Sequence, residues 1–378
     1  MNLADMLSYA DIQDLSRIAH TYNCECNGHS KNELIQSILS MVSRREVFER
    51  QVIDLSIEDI RFLNSLIFDQ RGSFSLEELI ARVQQSRFVK DENEGWNPRD
   101  MISRFKQRGW LFNGYSQNTR YLFQVPNDLK RRFSEALTKQ LQKQLVYTSE
   151  PMVYRDEQKL IIDDIYHFLH YIEQNEAVLT ADNTMYKRQL QQVLDRLSVK
   201  EETVGKTAWR FGYGRLFKDY PNRFSLIYDY CYYADLITEH NQVLALSEKG
   251  RERLSQARKE DIVQVYRFWL RLYKGAIPNL QSLVHWMDKL SKSWVTAESL
   301  KEALLPLIRP FYYDSAESIM EQRILQMMMH LGLIRIGEAE DAGTVIQVTK
   351  LGSSVIQGSY VAEDDKIEIP FDNDSEYC

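Results

Sequence analysis

One plan recurs three times along this chain: a helix that runs into a strand, a polar turn, a second strand and a closing turn. In the first copy Gly109-Trp110-Leu111-Phe112 leads through 113–119 into Tyr121-Leu122-Phe123-Gln124-Val125-Pro126. In the second, Ala234-Asp235-Leu236-Ile237 leads through 239–242 into Val243-Leu244-Ala245-Leu246 and then Ser247-Glu248-Lys249-Gly250. In the third, Gly332-Leu333-Ile334-Arg335 leads through 337–343 into Val345-Ile346-Gln347-Val348 and then Thr349-Lys350-Leu351-Gly352. Two short apolar runs divided by a polar turn specify a β-hairpin, because the strands pair across the turn.

Each hairpin has helical periodicity upstream. The first copy has helices expected over 57–68, 76–84 and 98–108. The second has 157–173, an added helix over 185–197, and 223–233. The third has 296–308 and 316–331, preceded by 259–273 and 280–290. A hairpin on the end of a small helical unit is the wing of a winged helix. The expected fold class is therefore mainly α with small β-hairpins, as tandem winged-helix modules after a short helix–loop–helix. The expected divisions are a helix–loop–helix over 1–45, winged-helix modules over 46–142, 155–255 (with an insertion) and 259–360, and an acidic, disordered tail over 361–378. Residues 143–154, which include Pro151, read as the linker between the first two modules.

In the N-terminal element, Ile12, Leu15 and Ile18 mark one inward face. Ser30 followed by Glu33 reads as a capping box opening a second helix, whose stripe is Leu34, Ile35, Ile38 and Leu39. No basic start followed by an apolar stretch reads as a secretory leader, and no run approaches the ~18 apolar residues of a membrane span. Four cysteines (Cys24, Cys26, Cys231, Cys378) are too scattered for a disulfide framework, so a cytoplasmic location is expected, on the nucleoid if the source is bacterial. Net charge is −7, but 361–378 holds seven acids and one lysine. The remaining residues are near neutral, which leaves room for a locally basic surface.

Motifs for catalysis are missing, and a non-enzymatic chain with no cofactor is expected. Gly205-Lys206-Thr207 lacks the earlier glycine that lets backbone N–H groups wrap a phosphate, since Lys200 stands there. Phe211-Gly212-Tyr213-Gly214 lacks the third glycine of a dinucleotide fingerprint. His20, Cys24, Cys26 and His29 are a compact set of zinc-type donors, although Cys-x-Cys is tighter than the usual spacing; a loop cysteine pair beside surface histidines is the plainer reading. Asp163, His167 and His170 share one helix face, read as solvated.

The third helices of the three copies differ. Residues 97–108 carry Arg99, Arg104, Lys106 and Arg108 against Asp100, a net +3, with Arg120 on the wing and Lys130, Arg131 and Arg132 following. Such a face can neutralise phosphates; a solvated basic face is the alternative. Residues 223–233 are tyrosine-rich and 316–331 methionine-rich, which suits a core or a partner protein better than DNA. Residues 209–224 interleave aromatics with Arg210, Arg215, Lys218 and Arg223, open to two readings: stacking on unpaired bases, or packing on the second module. Ile369-Pro370-Phe371 lies among acids, similar to the tips of bacterial single-strand binding proteins but without the terminal carboxylate.

Residues 1–45 resemble a SAP-like element, through 14–19 and 28–35. The paired helix, Gly-x-Leu and wing passages, with 179–188 and 348–358, resemble the helicase-associated tandem winged-helix region beside XPB-type helicases. The resemblance spans most of the chain and is diffuse. It implies a DNA-associated accessory protein working with a helicase in repair, replication or transcription. No motor domain accompanies it, so unwinding does not carry over. The expected DNA contacts are Lys31, Arg99, Arg104, Lys106, Arg108 and Arg120, with backbone contacts from His29 and Ser30. The alternative is an adaptor gripping a helicase or polymerase subunit without touching DNA. Neither reading involves a membrane or a small-molecule substrate.

Overall fold

The computed structural model describes residues 1–88, 96–205, 210–362 and 364–368. The architecture is mixed but mostly helical, with small antiparallel sheets that do not close into a barrel. The chain divides into two compact units, Met1–Gln144 and Leu145–Cys378.

The first unit runs α1 (Leu3–Tyr9), α2 (Ile12–Thr21), α3 (Lys31–Ser43), α4 (Arg45–Ile53), α5 (Ile57–Ile67), α6 (Leu76–Ser86), α7 (Pro98–Gln107), β1 (Phe112–Asn113), β2 (Phe123–Gln124) and α8 (Asn127–Gln142). Serines start α5 and α6: Ser56 and Ser75 each accept the N–H three residues on, and Asp59 and Glu78 reciprocate. Pro98 sits in the first turn of α7, where a missing N–H costs nothing. Gly109 then ends the helix at φ +65°, and the Trp110 N–H reaches back to the Phe105 carbonyl at 3.0 Å. Trp110 is thereby driven into the core, edge-on to Phe105 and Phe133.

The N-terminal helices share this core. Tyr22 on the α2 end donates its hydroxyl to the Arg108 carbonyl at 2.9 Å, and α2 packs on both α3 and α7. Ser30 caps α3, but Glu33 accepts the Asn27 N–H instead of closing the expected capping box. Ile12 is exposed rather than inward.

The second unit runs β3 (Val153–Arg155), α9 (Leu160–Gln174), β4 (Ala177–Val178), α10 (Lys187–Arg196), α11 (Asn222–Tyr233), β5 (Ile237–His240), β6 (Val243–Leu246), α12 (Glu248–Ser255), α13 (Ile262–Tyr273), α14 (Leu280–Leu290), β7 (Val295–Thr296), α15 (Ala297–Leu304), α16 (Ala316–Ser318), a π-helical stretch (Ile319–Leu325), α17 (Gln326–His330), β8 (Ile334–Ala339), β9 (Gly343–Val348) and α18 (Lys350–Gln357). Its sheets have the orders β4-β6-β5 and β3-β8-β9-β7.

The three copies therefore share a topology that the hairpins alone do not reveal. A short strand precedes the middle helix and pairs with the second hairpin strand: Phe74 with Phe123, β4 with β6, and β7 with β9. The turns after the third helices also match. Gly109, Asp235 and Gly332 each have positive φ, and the next residue, Trp110, Leu236 or Leu333, is fully buried.

Described parts of two segments read as loose are ordered. The division at Gln144/Leu145 falls inside the 143–154 linker, but Tyr147 bridges Val295 and β3 pairs with β8. In the acidic tail Val361 is buried, Arg271 meets Asp365 at 2.6 Å, and the Ile367 N–H bonds to the Arg271 carbonyl at 3.1 Å. These residues run along α13 instead of being disordered. Ile369-Pro370-Phe371 lies outside the described residues, as do Lys206, Thr207 and Trp209.

Candidate nucleic-acid interface

The three third helices occupy equivalent places in their copies, yet only α7 keeps a cationic face in solvent among the described residues. Its inward stripe is Met101, Ile102 and Phe105; Arg99, Ser103, Arg104 and Gln107 face out. The spacing of those apolar positions fixes the division, because three- and four-residue steps fall on one side of a helix.

Each expected contact residue has its own setting. Arg99 is exposed on the first turn of α7. Arg104 donates to Asp59 at 2.7 Å, and its side chain remains 50% exposed, so part of the guanidinium still faces water. Asp59 is itself buried and also caps α5, which makes it a fixed anchor for that guanidinium. Lys106 is half-buried, over the Phe123 ring. Arg108 lies over the Trp110 ring at 4.8 Å, and burial pushes its pKa down. Arg120 is exposed on the hairpin, stacked over Tyr121 at 4.5 Å. Lys31 is exposed on the first turn of α3, a separate helix. The Ser30 hydroxyl is taken by the Glu33 N–H, and the His29 N–H bonds to the Asn27 side chain. Among the expected contacts Arg99, Arg120 and Lys31 are exposed and Arg104 is half-exposed in its pair with Asp59; Arg108 serves the core as much as the surface.

Charge concentrates around α7. Residues 96–144 hold ten Lys or Arg and three Asp or Glu, a net +7. Some of these cations are engaged within the unit: Lys130 donates to the Asp69 carbonyl at 3.3 Å, and Arg132 covers the Phe48 ring at 4.1 Å.

The other two third helices bury their arginines and expose Tyr232 and Tyr233 in one, Glu317, Glu321 and Gln322 in the other. Along α11, Arg223 through Cys231 are all buried. Arg223 meets Asp164 at 2.7 Å and Glu157 at 3.4 Å, all three almost without exposure. Glu157 also pairs with His330 at 3.0 Å, and Glu201 accepts the Arg223 and Phe224 N–H groups at the start of α11. Burial pushes the Glu157 carboxyl up, but the His330 hydrogen bond and the Arg223 and Arg155 charges outweigh it and hold the pKa below the usual range. In the third copy Arg323 binds Asp314 at 2.9 Å and the Phe211 carbonyl at 2.5 Å, with Met327 and Met328 fully buried nearby. The methionine run is core, as are Tyr228 and Tyr230, while Tyr232 and Tyr233 at the end of α11 are exposed.

The arginines interleaved with aromatics over 210–224 are likewise committed inside the unit. Arg210 donates to the Tyr220 carbonyl and Asn222, and Arg215 forms a two-pronged pair with Glu239. Sequence reasoning missed the Arg223–Asp164–Glu157–His330 network. Its only local signal is a carboxylate, Asp164, on the apolar face of α9.

His20, Cys24, Cys26 and His29 do not converge. Among the described residues no group of three or more His, Cys, Asp or Glu side chains is placed to hold a metal ion. His167 and His170 lie on the solvent side of α9, half in water. Among the described residues no helix is long and apolar enough to cross a membrane. Compared with protein-family models and with curated proteins, the chain matches none.

Proposed function

We propose that this chain is a non-enzymatic DNA-binding accessory protein, built of tandem winged-helix modules and acting beside a helicase in repair, replication or transcription. The observation that carries the reading is the contrast among equivalent helices: the other two expose tyrosines or glutamates and keep their arginines buried, while α7 presents Arg99 and Arg104 to solvent. The shared topology supports the winged-helix assignment. In each copy the strand before the middle helix pairs with the last hairpin strand, as expected if the three are one kind of module. In helix-turn-helix modules the recognition helix lies in the major groove.

The test is salt-dependent binding to duplex DNA by fluorescence anisotropy. Arg99→Ala and Arg120→Ala remove exposed charges without opening the core. Each is expected to flatten the slope of log K against log salt by about 0.9 if it removes one phosphate contact. An unchanged slope in the double variant rejects the assignment.

A second reading, a protein adaptor, draws on a different surface. Tyr312 and Tyr313 are 68% and 63% exposed in the loop before α16, beside Phe311. Adjacent exposed aromatics suit a protein partner. A helicase or polymerase subunit that co-purifies through nuclease treatment, with no DNA bound by the isolated chain, would favour it.

A further inference from the structure

The tip of the first hairpin carries aromatics that stand largely in solvent. Tyr115 and Tyr121 are 62% and 67% exposed on its two sides. Tyr9, at the end of α1, is 62% exposed and stacks on Tyr115 with ring centroids 4.8 Å apart and planes 24° from parallel. Arg120 covers one side of Tyr121.

The tip is rigid enough to hold these rings out. Gly114 N–H bonds to the Leu122 carbonyl at 2.9 Å, Arg120 N–H to the Ser116 carbonyl at 2.9 Å, and the Asn113 side chain to the Arg120 carbonyl at 3.0 Å. Ser116 and Thr119 join their hydroxyls at 2.8 Å across the turn. Polar side chains thus satisfy the turn; Tyr115 adds the stack on Tyr9, and Tyr121 adds its contact with Arg120. Residues 113–121 contain one cation and no acid. Single exposed tyrosines are ordinary on any surface. Here an exposed tyrosine stack, Tyr9 on Tyr115, and an exposed tyrosine–arginine pair, Tyr121 with Arg120, share one acid-free tip that follows a helix net +3.

We infer that this tip is a stacking platform for unpaired nucleic-acid bases. Tyr115 and Tyr121 would offer ring faces and Arg120 would hold the strand's phosphates. Every base has a π face, so such a surface accepts any sequence. Tyr9, already stacked, backs Tyr115 and keeps its ring oriented. The inference rests on the reading of α7 as a DNA-facing helix and adds strandedness to it: the chain prefers duplex with an unpaired end, or single strand, over blunt duplex.

The experiment uses the full chain with three probes of one sequence: a blunt duplex, the same duplex with a single-stranded overhang, and the single strand. 2-Aminopurine in the unpaired part reports stacking through its fluorescence. The wild-type protein is expected to bind the overhang and single-strand probes more tightly than the blunt duplex and to change the 2-aminopurine signal. Tyr115→Ala/Tyr121→Ala should weaken those two probes by about tenfold or more, given ~1–3 kcal/mol per stacked base. Blunt-duplex binding should fall by less than binding of the other two probes, because α7 is untouched and only the Tyr121 support of Arg120 is lost. Tyr115→Phe/Tyr121→Phe should keep the wild-type preference, since the ring is retained. The alanine variant losing all probes equally, or none, overturns the platform and leaves the α7 reading standing. Wild-type protein that binds no probe at all overturns both.

Discussion

A glycine in each of the last two copies occupies a space that no side chain could enter. A Cβ on Gly250 would lie 2.1 Å from the Leu236 carbonyl oxygen, and one on Gly352 would lie 2.1 Å from that of Leu333. The cause is the closing turn. Ser247 and Thr349 each donate a backbone N–H to the same leucine carbonyl and then cap the following helix through their hydroxyls. That arrangement holds the first helical turn against the residue that leads into the first hairpin strand. Gly352→Ala must push backbone from backbone, so it is expected to cost about 1–3 kcal/mol, the usual range for an overpacked site. Gly275→Ala is the control: nothing lies within 4 Å of its Cβ, and its effect should be a few tenths of a kcal/mol at most. Urea unfolding of both variants makes the comparison, and equal midpoints would contradict the packing account. The Ser-x-x-Gly and Thr-x-x-Gly spellings mark these turns in the sequence. What they cannot convey is the carbonyl lying against the glycine, because that contact joins segments more than ten residues apart.

Among elements, α11 shows how burial changes the meaning of a residue. Asp229 is fully buried on it, accepting the Arg215 N–H at 3.0 Å, while Glu239 pairs with the Arg215 side chain. Burial pushes the Asp229 pKa up to about 7, against the pull of the Arg215 N–H and charge. An unfolded aspartate titrates near ~3.9. Between about pH 4 and 7 the folded chain therefore keeps a proton that the unfolded chain has lost. Stability from this group is complete below about pH 4 and is lost as pH rises through about 7, opposite to an ordinary salt-bridged carboxylate. Asp229→Asn mimics the protonated form and should remove that decline. Unfolding free energies for both proteins from pH 4 to 8 test it: the difference should shift in favour of the variant as pH rises, then level off above about 7. A constant difference across the range would refute it.

The helices of this unit are legible because their apolar residues recur at three and four: α14 was expected over 280–290 and lies there. The two-residue strands β4 and β7 are not legible, since so short a segment has no period and exists only through its partner. For Arg223 the sequence leaves stacking on bases and packing on the second module both open, and the decision for packing comes only from Asp164, on another helix.

For the whole molecule, the division at Gln144/Leu145 also divides charge. Residues 1–144 hold 20 bases and 19 acids, while 145–378 hold 27 bases and 35 acids, a net −8. If α7 carries DNA binding, the second unit adds no favourable charge and repels the polyanion at any distance within a Debye length, about 8–10 Å at physiological salt. Residues 1–144 own a closed aromatic core running from Phe62 through Phe105 and Trp110 to Phe133, and α1 and α8 both pack within it. A core of that kind is what a domain needs to fold alone. The fragment 1–144 is therefore expected to unfold cooperatively by circular dichroism and to bind DNA at least as tightly as the full chain, most visibly at low salt. The fragment 145–378 should bind at least tenfold more weakly. The opposite distribution, with binding retained by 145–378 and absent from a folded 1–144, would move the interface away from α7, because charge and exposure would then have selected the wrong unit.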